Sequence, residues 1–343
     1  MRNRNLPRPY QQMIKASRNA GFLLLILCVP GSCLPASAQE PATETTVADR
    51  DRGIDLYKQG KTQAAIKILK EVVKKHSDDA DAWYFLGLAY YGDASIWLAS
   101  VAFEHLLALR PDSADANAKF SYGLILANQP KLATAAALRA IELGDQSAEP
   151  HYAIAEASFR ASEYPNAIEE ANKALQIKPD FSPALITKSL AHYSLKQYGE
   201  AAASLERFLA INPGDPDAGV WREQMDRLRT FDRRLTGSTA VTQPAADLPL
   251  TGREVTQKAQ VLDKPEPTYT EAARKAGVTG TVVMRCVFGS DGQVRSLVMI
   301  RALGYGLTAR AAQAARRIKF TPATKDGKQV SMWIELQYNF NLF

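Results

Sequence analysis

Small apolar residues recur every 34 positions between residues 46 and 232. The clearest series is a run of alanines at one phase of this period: Ala65, Ala99, Ala133, Ala167 and Ala201. Two further series of mainly apolar residues follow in the same register, four and seven positions later. A constant spacing without insertions indicates a repeated structural unit, here present five times.

Each period predicts two amphipathic helices. Alanine stands where two helices must approach closely. Pro111, Pro179 and Pro213 stand where the second helix of a period must end, because proline cannot donate to the helical ladder. One helix pair cannot bury its own apolar face, so successive pairs are expected to stack into an all-α solenoid.

The second period carries a recognisable set of side chains at fixed spacing: Trp83, Leu86, Gly87, Tyr90, Ala99, Phe103, Leu106 and Pro111. This set resembles the tetratricopeptide (TPR) pattern. The resemblance extends over residues 46–215, although the third repeat lacks the aromatic and proline signals. It implies five TPR repeats whose first helices line a groove for a partner protein or peptide. The residues expected to line it are aromatic and aliphatic: Tyr57, Tyr84, Leu88, Tyr91, Tyr122, Ile125, Tyr152, Phe159, Leu190 and Tyr193.

Two segments follow the repeats. Residues 216–232 predict a capping helix that closes the stack, because Trp221, Met225 and Leu228 share one helical face. Residues 233–263 are rich in glycine, serine, threonine, alanine and proline and show no periodicity. This composition predicts a flexible linker that lets the domains on either side move.

Residues 264–343 change to a pattern typical of a small α+β domain. Apolar and polar residues alternate in the first strand, as expected for a sheet with one buried face. The predicted order is α-β-β-α-β, with an antiparallel sheet: helix 269–276, strands 280–288 and 294–301, helix 307–319 and strand 329–340. Ser290-Asp291-Gly292 predicts the tight turn between the first two strands.

Several motifs in this segment resemble the C-terminal domain of the TonB family: Pro267-Thr268-Tyr269, Gly280-Thr281-Val282, Asp291-Gly292, Arg316 through Ala323 and Asp326-Gly327-Lys328. The resemblance implies that an extended segment of a partner, such as an outer-membrane receptor, pairs with the edge of the last strand. The residues expected at this strand-pairing edge are Met332, Trp333, Ile334, Leu336 and Tyr338.

The N-terminus has the three parts of an export signal. A basic stretch precedes the short apolar run Gly21–Val29, and Ala36-Ser37-Ala38 follows. This arrangement predicts a signal peptide over residues 1–38, cleaved before a short linker at residues 39–45, and so a periplasmic protein. A retained signal anchor, with the protein held in the inner membrane, is the alternative. Cleavage leaves Cys286 as the one cysteine, on the apolar side of a predicted strand, and we expect an inert buried thiol.

The charge pattern does not indicate a nucleic-acid partner. The net charge is +6, but five basic residues and no acidic ones lie in residues 1–38. Residues 264–343 hold 12 basic and 5 acidic residues, and the segment before them is acidic. The four histidines are not at metal-binding spacings, and no nucleophile elbow or phosphate-binding loop is present. We therefore predict a non-catalytic protein with no cofactor, no metal and no catalytic residues.

The sequence supports three functional hypotheses. The first is an exported adaptor, with a TPR groove for one partner and a TonB-like domain that pairs with a strand of another. The second is an energy transducer that stays in the inner membrane and acts on outer-membrane transport receptors. The third is a structural envelope factor whose basic domain binds an anionic polymer.

Overall fold

The computed structural model describes residues 44–235 and 249–342, with side chains from Val47 onward. The predicted signal segment and residues 236–248 of the predicted linker lie outside this range. Contacts between Cα atoms divide the protein into two compact units. Unit 1 runs to Ser121 and includes Ala135–Asp145; unit 2 comprises Tyr122–Thr134 and everything from Gln146 onward.

The repeat region is helical throughout and confirms the predicted helix pairs. The bounds are α1 (Glu44–Lys58), α2 (Thr62–Lys75), α3 (Ala80–Gly92), α4 (Ile96–Leu109), α5 (Ala114–Leu126), α6 (Pro130–Glu142), α7 (Ala148–Arg160), α8 (Tyr164–Ile177), α9 (Ser182–Ser194), α10 (Tyr198–Ile211) and α11 (Ala218–Leu235). The five alanines of the 34-residue series are buried in the helix contacts, as predicted. None of the described helices is long and apolar enough to cross a membrane.

A left-handed residue ends the first helix of every repeat. These residues share the 34-residue period: Gly60, Ala94, Asn128, Ser162 and Lys196. In the first repeat, Gly60 donates its N–H to the Tyr57 carbonyl and Lys61 donates to the Leu56 carbonyl, and the other four repeat the same two bonds. This pair of bonds is the Schellman motif, which satisfies the last carbonyls of a helix and turns the chain sharply into the next one.

The C-terminal domain has more strands than the sequence predicts. Its elements are β1 (Gln260–Asp263), α12 (Glu271–Ala276), β2 (Gly280–Phe288), β3 (Val294–Arg301), α13 (Leu307–Ala315), β4 (Lys319–Thr321), β5 (Ala323–Lys325), β6 (Lys328–Val330) and β7 (Met332–Phe340). The main sheet is antiparallel in the order β3-β2-β7, and β1 pairs with β4 while β5 pairs with β6. The predicted α-β-β-α-β elements therefore form its centre, with short strands added around them.

Part of the predicted linker pairs with strands of the C-terminal domain. Residues 249–263 are part of the predicted flexible linker, yet β1 pairs with β4 and Leu250 forms a parallel bridge with Met332. The sequence does not predict β1 or the Leu250 bridge, because the segment is rich in turn-forming residues. Each pairing is short, and its partner lies near the end of the chain. Leu250 and Gln260–Asp263 therefore pair with strands of the C-terminal domain.

Both faces of the main sheet are covered within unit 2. One face holds the predicted apolar alternation, with Val282, Met284 and Cys286 fully buried beneath α13. On the other face, Val287 is also buried, and β3 packs against α9 and α11 of the repeat region. The predicted capping helix α11 thus packs on α10 on one side. On the other side it contacts β3 and α13 of the C-terminal domain.

Candidate functional site

The outer edge of β7 is one candidate interaction site. Trp333 donates its N–H to the Leu250 carbonyl, and the Gln337 carbonyl accepts from the Lys264 Nζ at 2.8 Å. Both contacts lie on the side of β7 opposite β2. Because the hydrogen-bonding direction alternates along a strand, the backbone groups of Glu335 and Asn339 point to this same outer side.

The side chains predicted to lie at the edge of β7 point away from it, because they pack inside the domain. Met332, Leu336 and Tyr338 are buried in the core of the domain, and Trp333 and Ile334 are half-buried. The exposed side chains of β7 are those of Glu335, Gln337 and Asn339. The apolar residues named from the sequence therefore hold β7 in the sheet, while its backbone forms the edge.

The other edge of the main sheet is closed at Met299. The Gln224 side chain, on α11, accepts from the Met299 N–H at 2.7 Å and donates to the Met299 carbonyl at 3.3 Å. An amide side chain thus satisfies the two outward backbone groups of β3 at this point, as a neighbouring strand would. Gln224 was not singled out from the sequence, where it is one polar residue on an amphipathic helix.

In unit 1, the predicted groove residues Tyr57, Tyr84, Leu88 and Tyr91 are all half-buried. The Tyr84 hydroxyl donates to the Asp115 carboxylate at 3.0 Å, and burial together with the Asp115 charge raises the Tyr84 pKa to about 12. The ammonium of Lys119 lies 5.4 Å from the centre of the Tyr91 ring. These contacts form a surface of aromatic rings with polar tips, a composition common at protein interfaces.

In unit 2, most of the predicted groove residues are buried. Ile125 is fully buried, and Tyr193 is half-buried. The remaining four line a cavity of about 400 Å³ beside the C-terminal domain: Tyr122, Tyr152, Phe159 and Leu190. The Tyr122 and Tyr152 rings lie 5.8 Å apart, within the range of aromatic pairing.

Two charged groups in the wall of this cavity, Glu156 and Arg160, are paired with each other. The buried Glu156 carboxylate accepts from the Arg160 Nε at 2.9 Å and from the Thr187 hydroxyl at 2.7 Å. Arg160 also donates to the Asn128 side-chain oxygen at 2.9 Å. A buried carboxylate is tolerated when its oxygens are satisfied in this way, so the network supports the helices instead of presenting a reactive acid.

Asp217 is a buried acidic residue of the cavity wall that the sequence does not single out. It is 2% exposed and accepts from the Gly306 N–H at 3.0 Å and from the Ala309 N–H at 2.7 Å. Burial raises the pKa of this carboxyl to about 6, and the two amide donors oppose that rise. From the sequence, Asp217 looks like an ordinary cap of α11, which it directly precedes, and no local signal distinguishes it.

Among the described residues, no group of three or more histidine, cysteine, aspartate or glutamate side chains is placed to hold a metal ion. The features that the structure does bring together are a partly open backbone edge on β7, an aromatic surface in unit 1 and a lined cavity in unit 2. All three are suited to contacts with polypeptide.

Family models match three parts of the chain. Residues 265–342 match the C-terminal domain of the Gram-negative bacterial TonB protein, and residues 50–95 and 182–215 match tetratricopeptide repeat models. Comparison with curated proteins gives no match.

Several solved structures are similar to the chain at low identity. A crystal structure of MamA protein shares 22% identity, covering 58% of this chain and 99% of that one, with a TM-score of 0.41. PilW, described as a widely conserved type IV pilus biogenesis factor, shares 15% identity over 57% of this chain and 94% of its own, with a TM-score of 0.44. YrrB, described as a TPR protein with an unusual peptide-binding site, shares 18% identity over 49% of this chain and 87% of its own, with a TM-score of 0.40.

Proposed function

We propose that this chain, a TPR protein with a TonB C-terminal domain, is a non-catalytic adaptor of the Gram-negative envelope that binds one partner along β7 and another on its TPR repeats. Its TPR repeats make it a protein–protein interaction scaffold, and its TonB-type domain points to the cell envelope. The adaptor role, its periplasmic location and the two binding surfaces are the proposal.

The observation that carries the proposal is the difference between the two edges of the main sheet. β3 is closed at Met299 by Gln224, whereas in the described residues Leu250 alone pairs with the outer side of β7, near its start. Between Glu335 and Asn339, the Gln337 carbonyl accepts from the Lys264 side chain, and no further backbone strand pairs with this outer side among the described residues. An extended peptide can pair with such an edge, and its backbone supplies the missing hydrogen bonds.

The edge proposal predicts a specific effect of proline. Gln337→Pro removes one outward N–H without removing a bond to β2, which edge strands tolerate. We expect partner capture to fall about tenfold, because one hydrogen bond is lost and the proline ring blocks close approach. Capture is measured in intact cells as the yield of covalent adduct from a photo-crosslinking amino acid placed at Glu335.

Two controls make this test specific. Gln337→Ala keeps the N–H and should retain the adduct. A crosslinker at Arg310, exposed on α13, reports the background of non-specific capture. An adduct that survives Gln337→Pro at full yield would rule out backbone pairing along β7.

The TPR surface is tested separately in unit 1. We expect Tyr91→Ala to lower recovery of a co-purified partner about tenfold, because buried tyrosines at interfaces contribute strongly to binding. The matched control is Trp97→Ala: Trp97 is 49% exposed but lies on α4, a second helix. Recovery is quantified by mass spectrometry of tagged protein purified from cells. Equal losses in the two variants, or none in either, would contradict a binding role for the first helices.

A further inference from the structure

The loop that joins β3 to α13, residues 302–306, lies against the first helices of the later repeats. Its Leu303 is buried, and Leu303 and Tyr305 form part of the wall of the cavity that Tyr122 and Tyr152 also line. The Tyr305 and Tyr122 side chains share a hydrogen bond, and burial raises the Tyr305 pKa. The loop therefore occupies part of the surface that the sequence predicts as groove.

The backbone of this loop is held in an unusual conformation. Tyr305 has a φ of 60° and Gly306 a φ of 82°, both in the left-handed region. A bulky residue rarely adopts this region unless the surrounding structure imposes it. A Cβ at Gly306 would also be in tight contact, 3.1 Å from the Cβ of Pro216. Contacts with the repeat region thus help to hold the loop in this left-handed conformation.

Asp217 fastens the loop to the repeat region. Gly306 is the N-cap of α13 and has no side chain, so the first amide groups of this helix need an acceptor from elsewhere. The Asp217 carboxylate, 89 residues earlier in the chain, accepts from Gly306 with one oxygen and from Ala309 with the other. One buried side chain thus performs both halves of a capping box across two domains.

Three further polar contacts fix the docked position. Gln224 holds the backbone of Met299, and Arg316 donates to both oxygens of Glu223 at 2.7 Å. The Thr279 N–H donates to the Leu126 carbonyl at 3.0 Å. These contacts join β3, α13 and the start of β2 to helices α5 and α11. The Arg316–Glu223 pair is exposed, whereas the Gln224 contact is buried and leaves neither backbone group of Met299 unpaired, as a matched interface requires.

We propose that the first-helix surface of unit 2 is an intramolecular docking site for the loop 302–306, so that the chain itself holds this half of its groove closed. The inference rests on the proposed role of the TPR repeats as a partner-binding surface and adds its regulation. A partner of this half must displace the loop and must present similar chemistry, a turn that carries a leucine and a tyrosine two residues apart. Undocking of the C-terminal domain opens the surface.

A disulfide reporter tests the docking without any partner. Leu126→Cys and Thr279→Cys place thiols on two residues joined by a backbone hydrogen bond, close enough for a disulfide. Cys28 and Cys33 are replaced by serine in every variant of the full-length chain. We expect the disulfide to form readily with Asp217 and Tyr305 intact, and its rate of formation to fall at least about tenfold with either Asp217→Ala or Tyr305→Ala.

Arg310→Ala is the control. Arg310 is exposed on α13, the helix that Asp217 caps, and its replacement should leave the rate unchanged. Circular dichroism checks that each variant is folded. Asp217 and Tyr305 lie on opposite sides of the interface, so if one variant misfolds, the other still tests the proposal. Rates within twofold of the parent in both variants, or no disulfide in the parent, would overturn the proposal. Since no partner is present, failure of the adaptor proposal would not change this result.

Discussion

Replacing Phe103 by alanine is expected to lower the free energy of unfolding by about 3–5 kcal/mol, the usual loss for a buried phenylalanine. Phe103 lies on α4, is fully buried and belongs to the 34-residue apolar series. Its ring sits against Gly87 on α3, the partner helix of the same repeat. We expect the loss to be measured by urea unfolding of the full chain, followed by far-ultraviolet circular dichroism.

Gly87 tests the same contact from the other side. A Cβ at this position would lie 2.6 Å from the Phe103 ring, which is too close for the packing to be preserved. Alanine normally stabilises a helix relative to glycine by about 1 kcal/mol. We expect Gly87→Ala to destabilise the protein instead, by about 1–3 kcal/mol, because the ring must move.

The control for both variants is Leu109→Ala, on the same helix as Phe103 but 42% exposed, which should change stability little. Combining Gly87→Ala with Phe103→Leu should cost less than the sum of the two single changes, since the smaller side chain leaves room for the new methyl group. A stabilising Gly87→Ala, or a Phe103→Ala loss below about 1 kcal/mol, would show that this contact does not hold the repeat together.

The repeat architecture could be predicted because its signal is periodic and local. Ala99 and Phe103 recur in phase with their counterparts in other repeats, and the register defines which faces meet. The left-handed turn residues could not be predicted in the same way. Of the five, Gly60 alone is a glycine, and at Ala94 or Lys196 the conformation is imposed by the fixed angle between packed helices.

The candidate sites were predictable only in part, for a related reason. Helical phase places Tyr91 and Tyr152 on the first-helix surface, but phase does not say which stretch of that surface another domain covers. Coverage in unit 2 depends on Asp217 and Gln224, whose partners lie about 75–90 residues away in sequence. At β7, the apolar alternation correctly indicates a strand. Whether a strand lies at an edge depends on its neighbours in the sheet, and the composition of the strand does not reveal its neighbours.

The chemistry of Cys286 provides the second large effect. The sequence predicts a buried thiol on β2, and the structure confirms that Cys286 is fully enclosed. Burial raises the pKa of this thiol to about 12, because the negatively charged thiolate loses its hydration inside the sheet. Alkylating reagents attack the thiolate, so the folded protein should react far more slowly than the unfolded chain.

The expected difference follows from the populations of thiolate. An ordinary thiol with a pKa near 8.5 is about one quarter ionised at pH 8, whereas a pKa of about 12 leaves about one in ten thousand ionised. We therefore expect iodoacetamide to label Cys286 at least about a thousandfold more slowly in the folded protein than in urea. Labelling is quantified on the peptide that contains Cys286, so that Cys28 and Cys33 do not interfere.

The pH dependence has a definite sign. Since the folded pKa lies above the unfolded one, the folded state keeps its proton between about pH 9 and pH 12 while the unfolded state loses it, and stability falls as pH rises through that window. Below it, the labelling rate of the folded protein should rise about tenfold per pH unit, whereas the rate of the unfolded chain levels off near its ordinary pKa. Comparable rates in urea and in buffer at pH 8 would mean that β2 opens to solvent often. The closed packing of the main sheet between α13 and the repeats would then be wrong as a description of the protein in solution.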